Sequence, residues 1–348
     1  MQTSADDGFS FYGQLNYGFL NQDDGIGNET HFVNNTYFPS RFGVNWQSQE
    51  NRLGRFKVTL ETGSPNSSSS AVNQLNLSQD LQADFDSTTL RVLEVALQTR
   101  NAGTFSIGQG NMANSGIGYS DLSGTIIIAG GEISNSGGSQ LMRFADGTLS
   151  TVRFTAGFGD IFGRRRLRLR YDTPTFSGFQ VAASYGTEIL VDGVRGDFFD
   201  AAVRYRNDQL FSGFDFAADA GYGYARENND YVNASFALLH RNTGLNLHIA
   251  HGRYDDDAFY LNTKVGIIRD LFGWGDDYKT AVSVQYLFGD ELNGTGTSIN
   301  YTALSLVQNI GPSFQVYAQH ALQDYNDDTA SYLDADVTFL GVRYLFEF

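Results

Sequence analysis

Apolar and polar residues alternate with a period of two in many short segments of this chain. In residues 9–19 the aromatic and aliphatic side chains mostly share one parity and the polar side chains the other. Farther on, Phe42, Val44 and Trp46 alternate with polar residues or glycine in the same way. Because successive side chains of a strand point to opposite faces, this pattern predicts β-strands with one apolar and one polar face.

The carboxyl terminus carries the clearest example of this alternation. Val342, Tyr344, Phe346 and the terminal Phe348 share one face of a predicted strand, and Arg343, Leu345 and Glu347 share the other. A lipid-facing strand that closes a transmembrane β-barrel ends in this way. The edge strand of a soluble sheet is the alternative for this segment taken alone.

The same pattern predicts sixteen strands, and their even number would place both termini on one side of a barrel. The predicted strands cover residues 9–19, 41–47, 55–61, 87–98, 104–110, 166–172, 179–186, 198–206, 212–224, 231–240, 245–252, 258–268, 278–288, 299–308, 314–323 and 335–348. Connections tend to alternate between short turns, such as 242–244, and long loops, such as 21–34 and 63–86. Residues 269–277 are long for a turn. The fold class predicted is all-β, a sixteen-stranded antiparallel transmembrane barrel.

Composition narrows the class of protein further. The 348 residues include 28 Phe and 19 Tyr, only 4 Pro and no Cys, so thiolate metal sites, disulfides and thiol nucleophiles are excluded. Mean hydropathy is slightly negative, and the longest apolar runs, such as 126–129, are far below the roughly 20 residues of a spanning helix. A barrel conceals its apolar surface by alternation, so these values suit it, although a soluble protein fits the hydropathy alone. Without any linker, residues 1–348 are predicted to form one domain.

One connection is far longer than the others. Residues 111–163 separate two predicted strands, which is too long for an ordinary loop of a compact fold. The segment is rich in Gly and Ser and carries scattered acids, of which Asp121, Glu132 and Asp146 are the candidate acidic groups. A sixteen-stranded barrel has an aqueous lumen that can hold such a loop. Folding into the lumen and lying outside, in solvent or at a subunit contact, are the two alternatives for it.

Several basic residues alternate with apolar neighbours and are therefore predicted to face the lumen of the barrel. Arginine predominates among them, since only 3 of the 23 basic residues are lysines, and its guanidinium binds carboxylates and phosphates in a bidentate manner. These residues are Arg41, Arg55, Lys57, Arg166, Arg168, Arg170 and Arg204.

Three stretches of sequence resemble the general, non-specific trimeric porins of Gram-negative outer membranes. Residues 40–63, with Ser40-Arg41-Phe42-Gly43-Val44 and Leu53-Gly54-Arg55-Phe56, resemble the second and third strands of that family. Residues 104–109 are similar to its fifth strand, and residues 170–179 to its sixth strand, the following turn and the seventh strand. Gln109 stands where relatives often have an arginine, so one basic lining group is expected to be missing.

This resemblance implies a homotrimer of sixteen-stranded barrels in the outer membrane, each with its third external loop folded inward as a constriction. Residues 111–163 would be that loop. Arg41 and Arg91 are similar to the basic wall positions of the family. Arg91 shares parity with Leu93 and Val95, so it needs a β-bulge to point inward.

Arginines that face loop carboxylates would create a transverse field that orients dipolar solutes at the narrowest section. The alternative is that the arginines pair with loop acids and hold the loop in place. The hypothesis for function is passive diffusion of small hydrophilic solutes and ions, with a preference for anions. The net charge of −16 opposes that preference at the pore mouth.

Other classes of function have less support in the sequence. The negative charge argues against binding of nucleic acid, whose phosphates it would repel. No cofactor is expected, although the clusters 255–257 and 324–328 could bind Ca²⁺ and bridge to outer-membrane lipids and lipopolysaccharide. No serine lies in a catalytic motif, so an enzyme is not expected. A structural or adhesive barrel with a plugged lumen, and less so an outer-membrane lipase, are the alternatives.

Overall fold

The computed structural model describes residues 7–64, 67–77, 87–157, 163–191, 193, 196–208, 212–225, 228–254, 258–292 and 296–348. Nearly all regular structure in these residues is β-strand, as the alternation predicts. No helix in the described part of the chain has the length and apolar character needed to cross a membrane.

The strands are numbered in chain order: β1 Gly8–Asp23, β2 Asn28–Asn34, β3 Arg41–Gln47, β4 Gly54–Gly63, β5 Leu90–Thr99, β6 Thr104–Asn111, β7 Leu141–Arg143, β8 Leu149–Arg153, β9 Arg165–Asp172, β10 Phe179–Thr187, β11 Asp197–Asn207, β12 Phe214–Ala225, β13 Asn228–His240, β14 Leu245–Tyr254, β15 Phe259–Arg269, β16 Thr280–Asp290, β17 Ser298–Ile310, β18 Phe314–Asn326 and β19 Ala335–Glu347. Short 3-10 segments lie at Ser87–Thr89, Ile117–Tyr119, Ile133–Asn135, Phe154–Gly157 and Asp276–Tyr278.

The strands form one closed antiparallel sheet, because β1 pairs with β19 as well as with the strands that follow it. β3 pairs with the first half of β1 and β2 with the second half, so together they fill one position in the wall. Each of the other wall strands pairs with its neighbours in the wall, and β9 follows β6. The wall therefore has sixteen positions, which confirms the predicted barrel. β7 and β8 form a separate hairpin within the long connection.

The prediction that residues 21–34 form a loop is wrong. β1 continues to Asp23, and β2 covers Asn28–Asn34, so only a short connection remains between them. Both faces of this part carry polar side chains, which conceals the alternation from the sequence. Asn21 and Thr30, for example, are cross-strand partners whose side chains are 2.9 Å apart and hydrogen-bonded.

The two faces of the wall differ as a barrel in lipid requires. In β17 the side chains of Tyr301, Ala303 and Ser305 are buried inside, whereas Leu304 and Leu306 are 57% and 41% exposed on the outside. Similar apolar residues are exposed on nearly every wall strand, which in water would form an apolar surface far beyond that of a soluble monomer. Aromatic pairs such as Phe179–Tyr205 lie near the turn end of this surface, as in the interfacial girdles of membrane barrels.

Candidate functional site: a cavity beside an inward-folded loop

The long connection between β6 and β9 lies inside the barrel. Its apolar side chains are buried against the inner wall, and Ile127, Ile128 and Ile133 are almost inaccessible to solvent. Ile128 belongs to a cluster with Val307 of β17, and Ile133 to a second cluster with residues of β14–β18. Burial of this kind contributes roughly 25 cal/mol per Å² of apolar surface, so packing alone provides a strong reason for the loop to stay inside.

Polar contacts fix the same face of the loop. Asp121 forms an ion pair with Lys264 of β15, and both side chains are fully buried. Thr125 Oγ1 lies 2.7 Å from Ser283 Oγ, and Gln319 Nε2 donates to the carbonyl of Ile128 at 2.9 Å. Burial by itself would raise the pKa of the Asp121 carboxyl, but the positive charge of Lys264 holds that pKa below its ordinary value. The carboxylate is therefore charged wherever the ion pair persists.

Charged side chains of the wall also hold the beginning of the loop. Asp200 accepts hydrogen bonds from the backbone N–H groups of Ala113 and Asn114 at 3.0 and 2.9 Å. Arg204 donates to the carbonyl of Ala113 at 2.6 Å. Arg168 Nε and Arg170 Nη1 both donate to the carbonyl of Asn111, at 2.9 and 3.1 Å. These side chains form hydrogen bonds with backbone groups that have no partner in a neighbouring strand. The loop therefore leaves the wall in a defined direction.

The opposite face of the loop borders a cavity of about 670 Å³. β3, β5, β6 and the start of β9 form one side of this cavity, and loop residues 115–135 form the other. Residues 35–40, which interrupt the wall between β2 and β3, also turn inward and contribute Tyr37 and Phe38. The charged lining residues are Arg41, Arg91, Arg164, Arg165, Arg166, Glu132 and Glu188.

A β-bulge directs Arg91 into this cavity. Glu61 is paired with Val92 and Thr62 with Leu90, so Arg91 is the extra residue of β5. Its Nε lies 2.6 Å from Glu61, whose other oxygen lies 3.5 Å from Arg41. The structure thus contains the bulge that the parity of Arg91 required.

Glu61 itself is held by Tyr12, whose hydroxyl donates to it at 2.9 Å. The Tyr12 ring lies over Gly43, where a Cβ would come within 2.2 Å of the ring, so any larger residue at this position would displace the ring from Glu61. This contact fixes the one carboxylate that Arg41 and Arg91 share. Two guanidinium groups on one carboxylate leave a positive wall toward the cavity.

The start of β9 adds further arginines to this wall. Arg165 lies close enough to Arg41 and Arg91 for their charges to interact. Arg166 pairs with Glu188 at 2.9 Å and lies 4.3 Å above the ring of Phe198. Arginines therefore outnumber the carboxylates around the cavity, even with Glu61 included.

The loop side of the cavity presents one carboxylate, Glu132. It accepts hydrogen bonds from the Tyr119 hydroxyl at 3.0 Å and from Asn135 Nδ2 at 3.3 Å. Burial and, after it, the charge of Glu132 raise the pKa of Tyr119 well above its ordinary value, so the hydroxyl remains a donor. Positive charge on the wall and negative charge on the loop thus face each other across the cavity.

The predicted site residues lie in three places. Arg41, Arg91, Arg166 and Glu132 line the cavity, together with Gln109. The second group contacts the base or the packed face of the loop: Arg168, Arg170, Arg204 and Asp121. The third group does not line the cavity: Arg55 and Lys57, near the turn end of β4, and Asp146, whose carboxylate accepts from Thr148.

The sequence prediction missed Arg164, Arg165, Glu61 and Glu188 as residues at or beside the cavity. Arg165 has the parity of the lipid-facing Leu167, so alternation points it outward. It is the first residue of β9, where the strand has only begun. Arg164 and Glu188 lie in connections, for which the period of two makes no prediction. Glu61 was assigned to the inner face but was not weighed as a partner of the arginines.

A metal site has no support in the described part of the chain, where no three His, Cys, Asp or Glu side chains are grouped to hold an ion. The candidate calcium cluster 255–257 lies outside the described residues. In the other cluster, Asp327 accepts hydrogen bonds from Thr329 and Ala330, which is the geometry of a loop cap.

A closed barrel with an apolar exterior, a polar interior and a cavity beside an inward-folded loop defines a pore-type membrane barrel. The sequence matches the Gram-negative porin family over residues 2–345, and the chain belongs to that family. It is an outer-membrane porin of a Gram-negative bacterium.

Three solved structures with the same fold illustrate what this chain is similar to, each at low sequence identity. An anion-selective porin from Comamonas acidovorans is 15% identical, with a TM-score of 0.64 over 98% of this chain and 100% of that chain. OmpT of Vibrio cholerae with loop L8 deleted is 16% identical, with a TM-score of 0.60 over the same shares. In-vitro folded OmpT in its trimer form is 15% identical, with a TM-score of 0.54, again over 98% and 100%. No curated protein matches the sequence.

Proposed function

We propose that this porin is a passive diffusion channel for small hydrophilic solutes and ions that prefers anions. The observation that carries the proposal is the excess of arginines over carboxylates around the cavity. A charge near a narrow, low-dielectric passage changes the local concentration of mobile ions, and a positive passage enriches anions. The Comamonas porin that shares the fold is described as anion-selective.

The net charge of −16 does not decide the sign of selectivity by itself. Charges in solvent are screened over a Debye length of about 8 Å at physiological ionic strength. The arginines of the cavity are partly buried, so screening reduces their effect less than that of exposed loop acids. The preference is therefore set where the passage is narrow.

The wall and the loop have different parts in this proposal. Arg41, Arg91 and Arg165 provide positive charge to the solute path, and Glu132 provides the opposing charge. Arg168, Arg170 and Arg204 position the loop by holding backbone carbonyls, so they act on the solute only through the loop. In this proposal, the arginines that hold the loop do so through backbone carbonyls and not by pairing with loop acids, and they form a group separate from the arginines beside the solute path.

Transport in this scheme needs no catalysis, cofactor or coupled energy source. The working assembly proposed is a homotrimer, supported by the family and by the trimer form recorded for Vibrio cholerae OmpT. Outer-membrane lipids and lipopolysaccharide would contact the apolar wall and the acidic loops. Divalent cations such as Ca²⁺ could bridge those acids to lipopolysaccharide.

The test is the current through purified protein in a planar bilayer, with the reversal potential measured in a KCl gradient. The proposal predicts openings in groups of three and a reversal potential displaced toward the chloride equilibrium potential. Displacement toward the potassium equilibrium potential would overturn the anion preference but would still support a diffusion channel. A silent bilayer from correctly folded protein would favour the structural barrel with a plugged lumen.

A further inference from the structure

The connection between β15 and β16, residues 270–279, is the longest on the turn side of the barrel among those the structure describes in full. Among these turns, it also exposes the largest number of large apolar side chains. Leu271, Phe272 and Trp274 are 61%, 55% and 61% exposed. Solvated turns normally carry polar residues, because three large apolar side chains in water have an unfavourable hydration free energy.

This turn has a defined shape. The Asp270 carboxylate accepts hydrogen bonds from the backbone N–H groups of Phe272, Trp274 and Gly275 at 3.2, 3.0 and 2.7 Å. The Phe272 and Trp274 rings stack with centroids 4.7 Å apart, and Tyr278 meets Trp274 edge-on at 6.0 Å. The apolar side chains are therefore held together as one patch.

The patch continues the lipid-facing surface of the barrel. Leu245 at the start of β14 and Ile310 at the end of β17 are exposed on the outer face, at the turn ends of strands beside β15 and β16. Trp and Tyr prefer the boundary between lipid headgroups and acyl chains, where the ring is apolar and its N–H or O–H remains hydrated. The turn places two such residues next to a surface that already contacts lipid.

We propose that residues 271–274 insert into the headgroup region of the membrane leaflet on the turn side and anchor the barrel there. The ligand is the bilayer surface itself. An amphipathic segment of this kind buries its apolar side chains about 5–10 Å into the boundary between headgroups and acyl chains. Asp276 and Lys279, whose charged groups are 2.8 Å apart, would remain on the aqueous side of the turn.

Trp46 and Trp274 are the only tryptophans of the chain, so tryptophan fluorescence can report on the position of Trp274 relative to the lipid. Trp46→Phe leaves Trp274 as the sole indole. Trp274→Phe leaves Trp46, which lies in β3 with the parity of the lipid-exposed Phe42 and serves as the reference on the wall. Each protein is reconstituted in vesicles whose lipids carry bromine either near the headgroup or near the acyl terminus, and acrylamide is added as the aqueous quencher.

The proposal predicts that headgroup-proximal bromine removes about half of the Trp274 emission, comparable with Trp46, and that acrylamide quenches Trp274 weakly. Phe272→Ser in the Trp46→Phe background should shift the emission of Trp274 to longer wavelength and increase its quenching by acrylamide. The shift in gel mobility on heating shows that each variant folds. Strong acrylamide quenching without any effect of bromine would overturn the proposal. If Trp274 were protected from acrylamide only at high protein concentration, and bromine had no effect, the proposal would be overturned. Contact with another copy of the protein would then explain the protection.

Discussion

The two faces of the long loop have opposite physical character. One face packs on the inner wall through Ile127, Ile128 and Ile133 and through the buried Lys264–Asp121 ion pair. The other face presents a single carboxylate, Glu132, to a cavity whose far wall carries arginines. The first face stabilises the loop and the second acts on solutes. The two faces act together, because the packing of the first face holds the charge of the second face in place beside the cavity.

The largest effect is expected from breaking the packed face at its ion pair. Lys264→Met leaves the Asp121 carboxylate buried without its counter-charge, which should lower the free energy of unfolding by about 3–5 kcal/mol. Urea unfolding in lipid vesicles measures the loss. The matched control is Lys264→Met with Asp121→Asn, which removes both charges but keeps the acceptor for Ser123 N–H. The double variant should recover most of the stability. Equal stability of the single variant and the parent would contradict the assigned role.

The apolar part of the packed face gives the next largest effect. Ile128→Ala removes a fully buried side chain and should lower the free energy of unfolding by about 2–4 kcal/mol. The loosened loop should also increase the noise of the open-channel current. Ile189→Ala, at a side chain that is 53% exposed, is the control and should change neither quantity. If Ile128→Ala behaved like the control, the loop would not depend on this packing.

A smaller effect, and of another kind, is expected on the cavity face. Arg91→Gln removes one charge beside the solute path, worth about 1 kcal/mol at contact distance, or roughly fivefold in the ratio of anion to cation permeability. Stability should change little in comparison. Arg100→Gln is the matched control, because Arg100 pairs with Glu50 at an exposed turn and lies away from the cavity. If both variants shifted the reversal potential equally, the charges around the cavity would not be the cause of the ion selectivity.

The smallest effect concerns the β7–β8 hairpin of the loop at low pH. Burial by itself would raise the pKa of the Asp24 carboxyl, but the Arg143 guanidinium at 2.8 Å and neighbouring backbone N–H groups lower it to about 2. Because this pKa is depressed, the contact stabilises the loop fully above the ordinary value near 3.8 and loses its effect as the pH falls through 2.

Current noise recorded between pH 4 and pH 2 tests this contact. The parent channel should become noisier over that interval. Asp24→Asn should be noisier already at pH 4 and should change less on acidification. A parent whose noise is constant over the interval would show that the contact does not restrain the loop.

Much of the barrel could be predicted from the sequence because a period of two is a local signal. Each of the wall strands from β4 to β19 overlaps a predicted segment. Where both faces are polar, as in β2, the signal disappears and the strand was missed. Chain closure through β1 and β19 was expected from the aromatic terminus, since that strand needs a partner to satisfy its backbone in lipid.

The cavity was only partly predictable. The alternation correctly predicts that Arg41 and Arg166 face inward. For Arg91 the sequence indicated that a bulge was needed, but it did not show where the bulge lies. Arg165, the first residue of β9, lines the cavity although its parity in the alternation predicts the outer face. The Lys264–Asp121 pair joins residues 143 positions apart, so no local pattern could reveal it. The same holds for the apolar run 126–129, which anchors the loop although the segment reads as rich in Gly and Ser.

The most direct test of the account compares the reversal potentials of Arg165→Gln and Glu132→Gln in the same KCl gradient. Each variant removes one charge from one side of the cavity, and neither residue belongs to the packed face of the loop. The account predicts shifts of opposite sign, with Arg165→Gln moving toward potassium and Glu132→Gln farther toward chloride. Shifts of the same sign, or none in either variant, would contradict a selectivity set by opposed charges across this cavity.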